Sequence, residues 1–404
     1  MRLVAVDTET IRETPWSVQL SDHGYPFGQM YYCDNPAHMT AVKGILEDPG
    51  VLTILHNAKF DLRVLGKVGV MPPNCECTMQ MAYLLGESAL SLKVLAYRIA
   101  HIQMRTFDEV TYKATQIKAK QYLEEVLDIE WPDPDPIMET GKDGEIKLSF
   151  PTNIRSKVKA RFKKADADPD VDLYKSWGKI EIEKGRGQVE EVMGEMQRAY
   201  LDEVDQAEAE SYALLDAEAT LAIYPYLHDR IQELGLQEVL ERDMGSLPMV
   251  MAMEDNGVYL DVGVLKELEV ELTQLAEDTQ IDINYIANKY VNPRSSQQVV
   301  AMLQEMGIYG WHETSTDATV MDQYKQHTIV GKVQDYRGYT KLLSTYVLAL
   351  MKSATKDGKI HTTFSTTRTE TGRLASSKPN LQNIPVRTEL GRRIRQAFVS
   401  ERSE

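Results

Sequence analysis

Leu3-Val4-Ala5-Val6-Asp7-Thr8-Glu9 is a short apolar, β-branched run that ends in two carboxylates one residue apart. A run of this kind reads as a buried strand. Alternate residues of a strand share a face, so Asp7 and Glu9 offer both side chains to one side at the strand's end. The pattern recurs at Val51 to Leu55, a second buried strand, which is followed by Asn57-Ala58-Lys59-Phe60-Asp61. A third motif, Tyr212-Ala213-Leu214-Leu215-Asp216, lies in a stretch (195–234) with apolar residues at helical spacing, so Tyr212 and Asp216 stand one turn apart on one face. Residues 79–100 read as two helices broken near Gly86-Glu87-Ser88. Alternating short strands and helices predict an α/β domain over about residues 1–235.

Any one of these motifs is common by chance, since an Asp after a buried strand is usually a turn or cap residue. The ordered set is not. Cutting a phosphodiester needs an activated water, charge neutralisation on the phosphate and support for the leaving oxygen, and two divalent ions roughly 3.5–4 Å apart supply all three. Mg²⁺ takes hard oxygen ligands and keeps several waters, so a few carboxylates suffice. Asp7, Glu9, Asp61 and Asp216 are such a set, and Tyr212 can orient a water without being a ligand.

Bulk properties set the frame. At 404 residues the chain is long for one core, and two or three domains are expected. No apolar run approaches the roughly 20 residues of a membrane span. The chain enters a strand at once, without a basic-then-apolar leader, which points to a cytoplasmic protein. The three cysteines, Cys33, Cys75 and Cys77, are too few and too closely spaced for a disulfide framework or a zinc site. A net charge of −16 argues against indiscriminate coating of nucleic acid but leaves room for a local basic surface.

Residues 131–190 carry WPDPDP, GKDGE, DADPD and KGRG, with a basic run at 155–164, inside a longer insertion at about 105–195. A solvated insertion is the plainer reading and a basic flap over single-stranded DNA the sharper one. After about residue 244 the texture is helical. Leu265, Leu268, Leu272 and Leu275 line a helix from near Asp261 towards Tyr290, Asn292-Pro293 breaks it, Ser295 caps another, and 330–352 form a further long helix. Residues 360–399 read as extended and loop structure. Between Arg368 and Arg395 seven basic residues face two acids, the basic surface that the net charge conceals.

The three acidic motifs resemble the 3′→5′ exonuclease domain of family A DNA polymerases, the four-acid class with a tyrosine in its last motif. CTMQMAYLLGESALSLKVLA (77–96) is similar to that family's helical region between the second and third motifs, with Cys77 where an acid is usual. MEDNGVYLD (253–261), VNPRSSQQV (291–299) and YRGYTKLLSTYV (336–347) resemble its thumb, and residues 360–398 resemble the start of its palm. The resemblance implies a ribonuclease H-like exonuclease domain (1–235), a mainly helical thumb region (236–358) and the first part of a palm (359–404).

It also implies roles. Asp7, Glu9 and Asp216 would hold one metal and Asp7 with Asp61 the second, Mg²⁺ or in its place Mn²⁺. Tyr212 would position water, and Thr10 and Asn57 would hold the 3′-terminal nucleotide. Lys341, Thr345 and Tyr346 would grip the DNA backbone, and Arg373, Asn380, Gln382 and Asn383 would contact primer and template in the minor groove, where every base pair presents acceptors. The polymerase catalytic aspartates and the fingers would lie beyond Glu404. The expectation is therefore the N-terminal subunit of a split DNA polymerase, of bacteriophage origin, working with a second polypeptide that carries the rest of palm and fingers, with a truncated product as the other explanation. The alternatives are a non-catalytic DNA-binding or assembly subunit and a stand-alone ribonuclease D-like exonuclease.

Overall fold

The computed structural model describes residues 1–22, 28–127, 129–130, 132, 137–140, 146–149, 154, 156–158, 160 and 199–400. The chain forms two compact units, Met1–Gly245 and Ser246–Glu404. The fold is mixed α/β in the first unit and mainly helical in the second. Among the described residues no helix is long and apolar enough to cross a membrane.

A five-stranded sheet organises the first unit, with strand order β3-β2-β1-β4-β5. β1 (Arg2–Ile11) pairs antiparallel with β2 (Thr14–Asp22), which pairs antiparallel with β3 (Gln29–Tyr32). On its other edge β1 runs parallel to β4 (Val51–Leu55), and β4 to β5 (Cys75–Cys77). Val4, Ala5, Val6, Ile54 and Leu55 are fully buried, as continuous apolar strands with both faces covered require. β1 is longer than the sequence suggests. Asp7 and Glu9 do not end it, because the strand continues through Ile11 in the hairpin with β2. What ends at Val6 is the pairing with β4, whose last partner is Leu55. Asp7 to Glu9 thus occupy a strand that has lost its neighbour on one side.

Four helices complete the frame around this gap: α1 (Pro36–Leu46), α2 (Ala58–Lys67), α3 (Thr78–Leu84) and the short α4 (Leu92–Leu95), which runs on into a wider turn over Ala96–Ala100. The last two are the broken pair expected from residues 79–100. α5 (Phe107–Gln121) starts from a capping box in which Thr106 and Glu109 satisfy each other's backbone N–H. α6 (Gln206–Glu233) packs on β1 and β2. Its buried face begins Ala209, Ala213 and Ala217, small side chains that allow a close approach to the sheet. Leu201, read as helical, lies in a separate 3₁₀ turn. A hairpin of β6 (Ile137–Thr140) and β7 (Ile146–Ser149) forms within the insertion. Of the basic run 155–164 only Ser156, Lys157, Val158 and Ala160 are described, so the flap lies outside the described residues.

Helix Gln237–Asn256 carries the chain across the division at Gly245. Gly257 then makes the turn into β8 (Val258–Leu260) at φ +60°, where a Cβ would meet the Ile360 carbonyl oxygen at 2.8 Å. β8 is the centre of a three-stranded sheet, with β9 (Lys359–Ile360) and β10 (Phe398–Val399) on either side. The helix Val262–Ala287 is capped by Asp261, which accepts from Gly263 and Val264 N–H, a cap worth about 1 kcal/mol. Its seam is Leu265, Leu268, Leu272, Ala276, Thr279 and Ile283. Leu275 is half-buried and Ala276 takes the place expected for it. The long helix joins two cores, one around Leu265, Val347, Ile360 and Ile394 and one around Ile283, Met302, Val330 and Val333. Ser295 caps the next helix, Ser296–Glu305, by accepting from Gln298 N–H. A helix at Glu389–Gln396, read as loop, hides in the sequence because basic residues outnumber its two buried positions, Gly391 and Ile394.

Candidate active site

The gap beside β1 gathers the acids. Carboxylate oxygens of Asp7, Glu9 and Asp216 lie within 4.8 Å of one another, the only such group of potential metal ligands among the described residues. β1 supplies two of them on one face, and α6, held close by its alanines, supplies the third. Asp61 comes from the first turn of α2 and is almost fully buried. Its Oδ1 accepts from the Thr8 hydroxyl at 2.8 Å, across the edge that β4 has vacated. Asp61 stands apart from the three-oxygen group but close to Asp7, whose carboxyl feels it more strongly than any other charge.

These carboxyls are held in an unfavourable state. Burial, then the charges of Asp61, Glu9 and Asp216, push Asp7 well above the usual carboxylate range. Burial and then Asp216 push Glu9 up to about 8, with Lys93 opposing. Asp216 is pushed up to about 6 by burial, again with Lys93 opposing. Burial raises Asp61 well above its ordinary value, against the bond from Thr8. Two oxygens, Asp61 Oδ2 and Asp216 Oδ1, are buried without a hydrogen-bond partner among the described residues. Such orphans are costly unless something pairs with them. A hard-oxygen donor set with repelling charges and two unpaired buried oxygens fits divalent cations.

Tyr212 packs beside Val110, Leu201 and Ala209. Burial, then Asp216, Glu9 and Asp7, raise its phenol, so it stays protonated beside the acids. Phe107, at the start of α5 and 37% exposed, meets the Tyr212 ring edge-on with centroids 6.4 Å apart. Asn57 has left-handed backbone (φ 67°) at the start of α2, and its side chain makes no capping bond. Thr10 sits at the irregularity that follows Glu9 in the β1–β2 pairing. Cys77 accepts from the Ala58 N–H at the head of α2. Three contributors escaped the sequence reading: Thr8, Phe107 and Lys93. Phe107 and Lys93 meet the third motif only in three dimensions, and Thr8, which lies between Asp7 and Glu9, reaches Asp61 only once the sheet has formed.

In the second unit the expected DNA-contacting residues divide. Arg373 and Asn380 are exposed, as are Arg368, Lys378, Arg387, Arg392 and Arg395. The Gln382 amide is engaged at both ends, accepting from Ser376 N–H and donating to the Leu374 carbonyl. Asn380 Oδ1 accepts from Gln382 and Asn383 N–H, and the Tyr346 hydroxyl donates to the Asn383 carbonyl. Lys341 closes the helix Thr328–Lys341, and Thr345 is exposed one turn on. Arg392 and Arg395, with Val386 and Gln396, line an open cavity of about 310 Å³.

Comparison with known proteins agrees with this division. Residues 1–126 match the 3′-5′ exonuclease family, and residues 262–404 match DNA polymerase family A. The chain is thus similar to a 3′-5′ exonuclease domain in its first part and to the family A DNA polymerases in its second. DNA polymerase I of Treponema pallidum is 38% identical over 194 residues, which cover 46% of this chain and 20% of that protein. The thermostable DNA polymerase I of Thermus aquaticus is 39% identical over 177 residues, 42% of this chain and 21% of the relative. The chain thus spans about a fifth of the length of the curated relatives it matches. The polymerase domain of Pol1 from M. smegmatis, solved with DNA primer-template and dNTP, aligns with TM-score 0.64 at 22% identity, over 98% of this chain and 54% of that one. At that identity the likeness speaks for the fold.

Proposed function

We propose that residues 1–404 carry a 3′→5′ DNA exonuclease that trims single-stranded or frayed 3′ ends, releasing nucleoside monophosphates, beside a surface that holds primer-template. The observation that carries this reading is the convergence of Asp7, Glu9 and Asp216 within 4.8 Å, next to Asp61 and the protonated phenol of Tyr212. Two Mg²⁺ ions, or Mn²⁺ in their place, supply charge neutralisation and a water acidic enough to attack near neutral pH. Asp7, Glu9 and Asp216 would hold one and Asp7 with Asp61 the other. Thr8 keeps one Asp61 oxygen occupied and so turns the other into the site. Tyr212 orients the water by hydrogen bonding and does not take its proton. Asn57, Thr10 and the exposed Phe107 ring would receive the terminal nucleotide.

In the second unit, Arg373, Asn380 and the flanking arginines face the DNA. Gln382, Asn383 and Tyr346 brace the loop that presents them, with Lys341 and Thr345 on the backbone. DNA synthesis is proposed only for an assembly in which groups outside these 404 residues, on further chain or on a second polypeptide, supply the nucleotide-selecting and catalytic parts. The test is incubation with 5′-labelled single-stranded DNA and Mg²⁺, with EDTA and Asp7→Ala as controls and RNA of the same sequence in parallel. A DNA ladder that disappears in both controls is expected. No degradation would leave a binding subunit, and preferential loss of RNA a ribonuclease D-like enzyme.

A further inference from the structure

One cation stands among the acids. Lys93 is half-buried on α4 and donates to the Arg105 carbonyl at 2.6 Å, with its ammonium 5.4 Å from the centre of the Tyr212 ring. The anchor is firm, because Arg105 immediately precedes the capping box of α5 and its own guanidinium is paired with Glu208 on α6. Lys93 is thus fixed where α4, α5 and α6 meet, on the Tyr212–Asp216 side of the site. Its charge is the one that opposes the upward push on both Glu9 and Asp216. An ammonium has three N–H bonds and the Arg105 carbonyl takes one.

Resting on the exonuclease reading above, we propose that Lys93 is a catalytic residue of this centre: its ammonium binds a non-bridging oxygen of the phosphate being cut. The acids would hold the divalent ions, whose charge would support the bonds being made and broken. In-line attack also loads charge onto the non-bridging oxygens, and a pre-placed cation there is stronger in the transition state than in the ground state. Lysine suits this role as a point charge on a flexible stem, and the Arg105 carbonyl together with the Tyr212 face removes most of that flexibility. The water adds to phosphorus as the bond to the 3′ oxygen of the preceding nucleotide breaks. The attacking water loses one proton to solvent and the leaving 3′ oxygen takes one from solvent, giving a 3′ hydroxyl and a nucleoside 5′-monophosphate. Lys93 keeps its proton throughout and only donates hydrogen bonds.

The experiment compares the parent chain with Lys93→Met and Lys93→Arg. It measures single-turnover cleavage of 5′-labelled single-stranded DNA at saturating Mn²⁺, calorimetric Mn²⁺ binding without DNA, and the melting temperature. The expected result is a loss of about 10²-fold or more in Lys93→Met, with Arg recovering most of it and Mn²⁺ stoichiometry unchanged. Cleavage by Lys93→Met within about 3-fold of the parent overturns the proposal, since a lost phosphate contact costs far more. Loss of Mn²⁺ binding or of the fold in both variants also overturns it, by assigning Lys93 to the metal site or the core. A parent chain that binds Mn²⁺ but cuts nothing removes the exonuclease reading and this proposal with it. A cutting parent with an indifferent Lys93→Met removes the proposal alone.

Discussion

Asp61 Oδ2 and Asp216 Oδ1 lie buried in the first unit with no partner among the described residues, whereas in the second unit Gln382 spends both ends of its amide on its own loop and Arg337 is bonded to Pro293 and Thr316. The first arrangement stores repulsion that a cation can relieve. The second is already satisfied and leaves its free charges outside, on Arg373, Arg387 and Arg395. Under the proposed function, the difference separates two kinds of surface. A reaction centre shows up as polar groups the fold fails to satisfy. A binding face shows up as polar groups spent on rigidity beneath exposed cations.

The contrast is broken most directly at the acids. Asp61→Asn is expected to lower single-strand cleavage by about 10³-fold, on the scale of removing a group that supports transition-state charge. Cleavage within about 10-fold of the parent, in the same single-turnover assay, would remove Asp61 from the centre. The opposite effect belongs to the second unit. Arg337→Met leaves the Pro293 and Thr316 carbonyls unpaired, costs about 3 kcal/mol and lowers the denaturant midpoint while the trimming rate stays within about 2-fold. A collapse of trimming in this folded variant would show that the two surfaces are not separable.

pH sharpens the same comparison. Carboxyls raised in the folded state favour the protonated form, so their contribution to stability is complete below the ordinary carboxylate range. It is lost as pH rises through about 6 for Asp216 and about 8 for Glu9. The metal-free melting temperature should therefore fall between pH 5 and 8 by several degrees, and Mg²⁺ should restore it most at the higher pH. A flat profile in EDTA would mean that burial does not hold these two carboxyls above their ordinary range. The smallest effect is expected at the binding face. Arg373→Ala should weaken primer-template binding by about 10-fold and reduce the slope of log K against log salt by about one, with single-strand trimming unchanged. Fluorescence anisotropy at several salt concentrations checks it.

Much of this was legible beforehand. The apolar runs before Asp7 and Asp61, the helical spacing around Tyr212 and Asp216, the cap at Ser295 and the broken helices at 79–100 are local patterns, and each forms where it was expected. The misreadings come from pairing and packing. β1 runs past its acids because β2 continues to bond it after β4 has stopped. The helix Glu389–Gln396 was missed because only Gly391 and Ile394 turn inward. Gln382, expected as a donor to DNA, also braces its own loop, where one amide N–H and the amide oxygen are engaged.

The sequence by itself determined which residues are candidates for the proposed chemistry, because hard-oxygen ligands, a phenol and a basic run are properties of side chains and survive without coordinates. Only the tertiary structure decided which of them act together. The vacated strand edge lets Thr8 seize Asp61, the alanine face of α6 brings Asp216 to Glu9, and the start of α5 fixes Lys93 over Tyr212. Those are contacts between residues far apart in the chain, and they exist only after the sheet and its helices have closed.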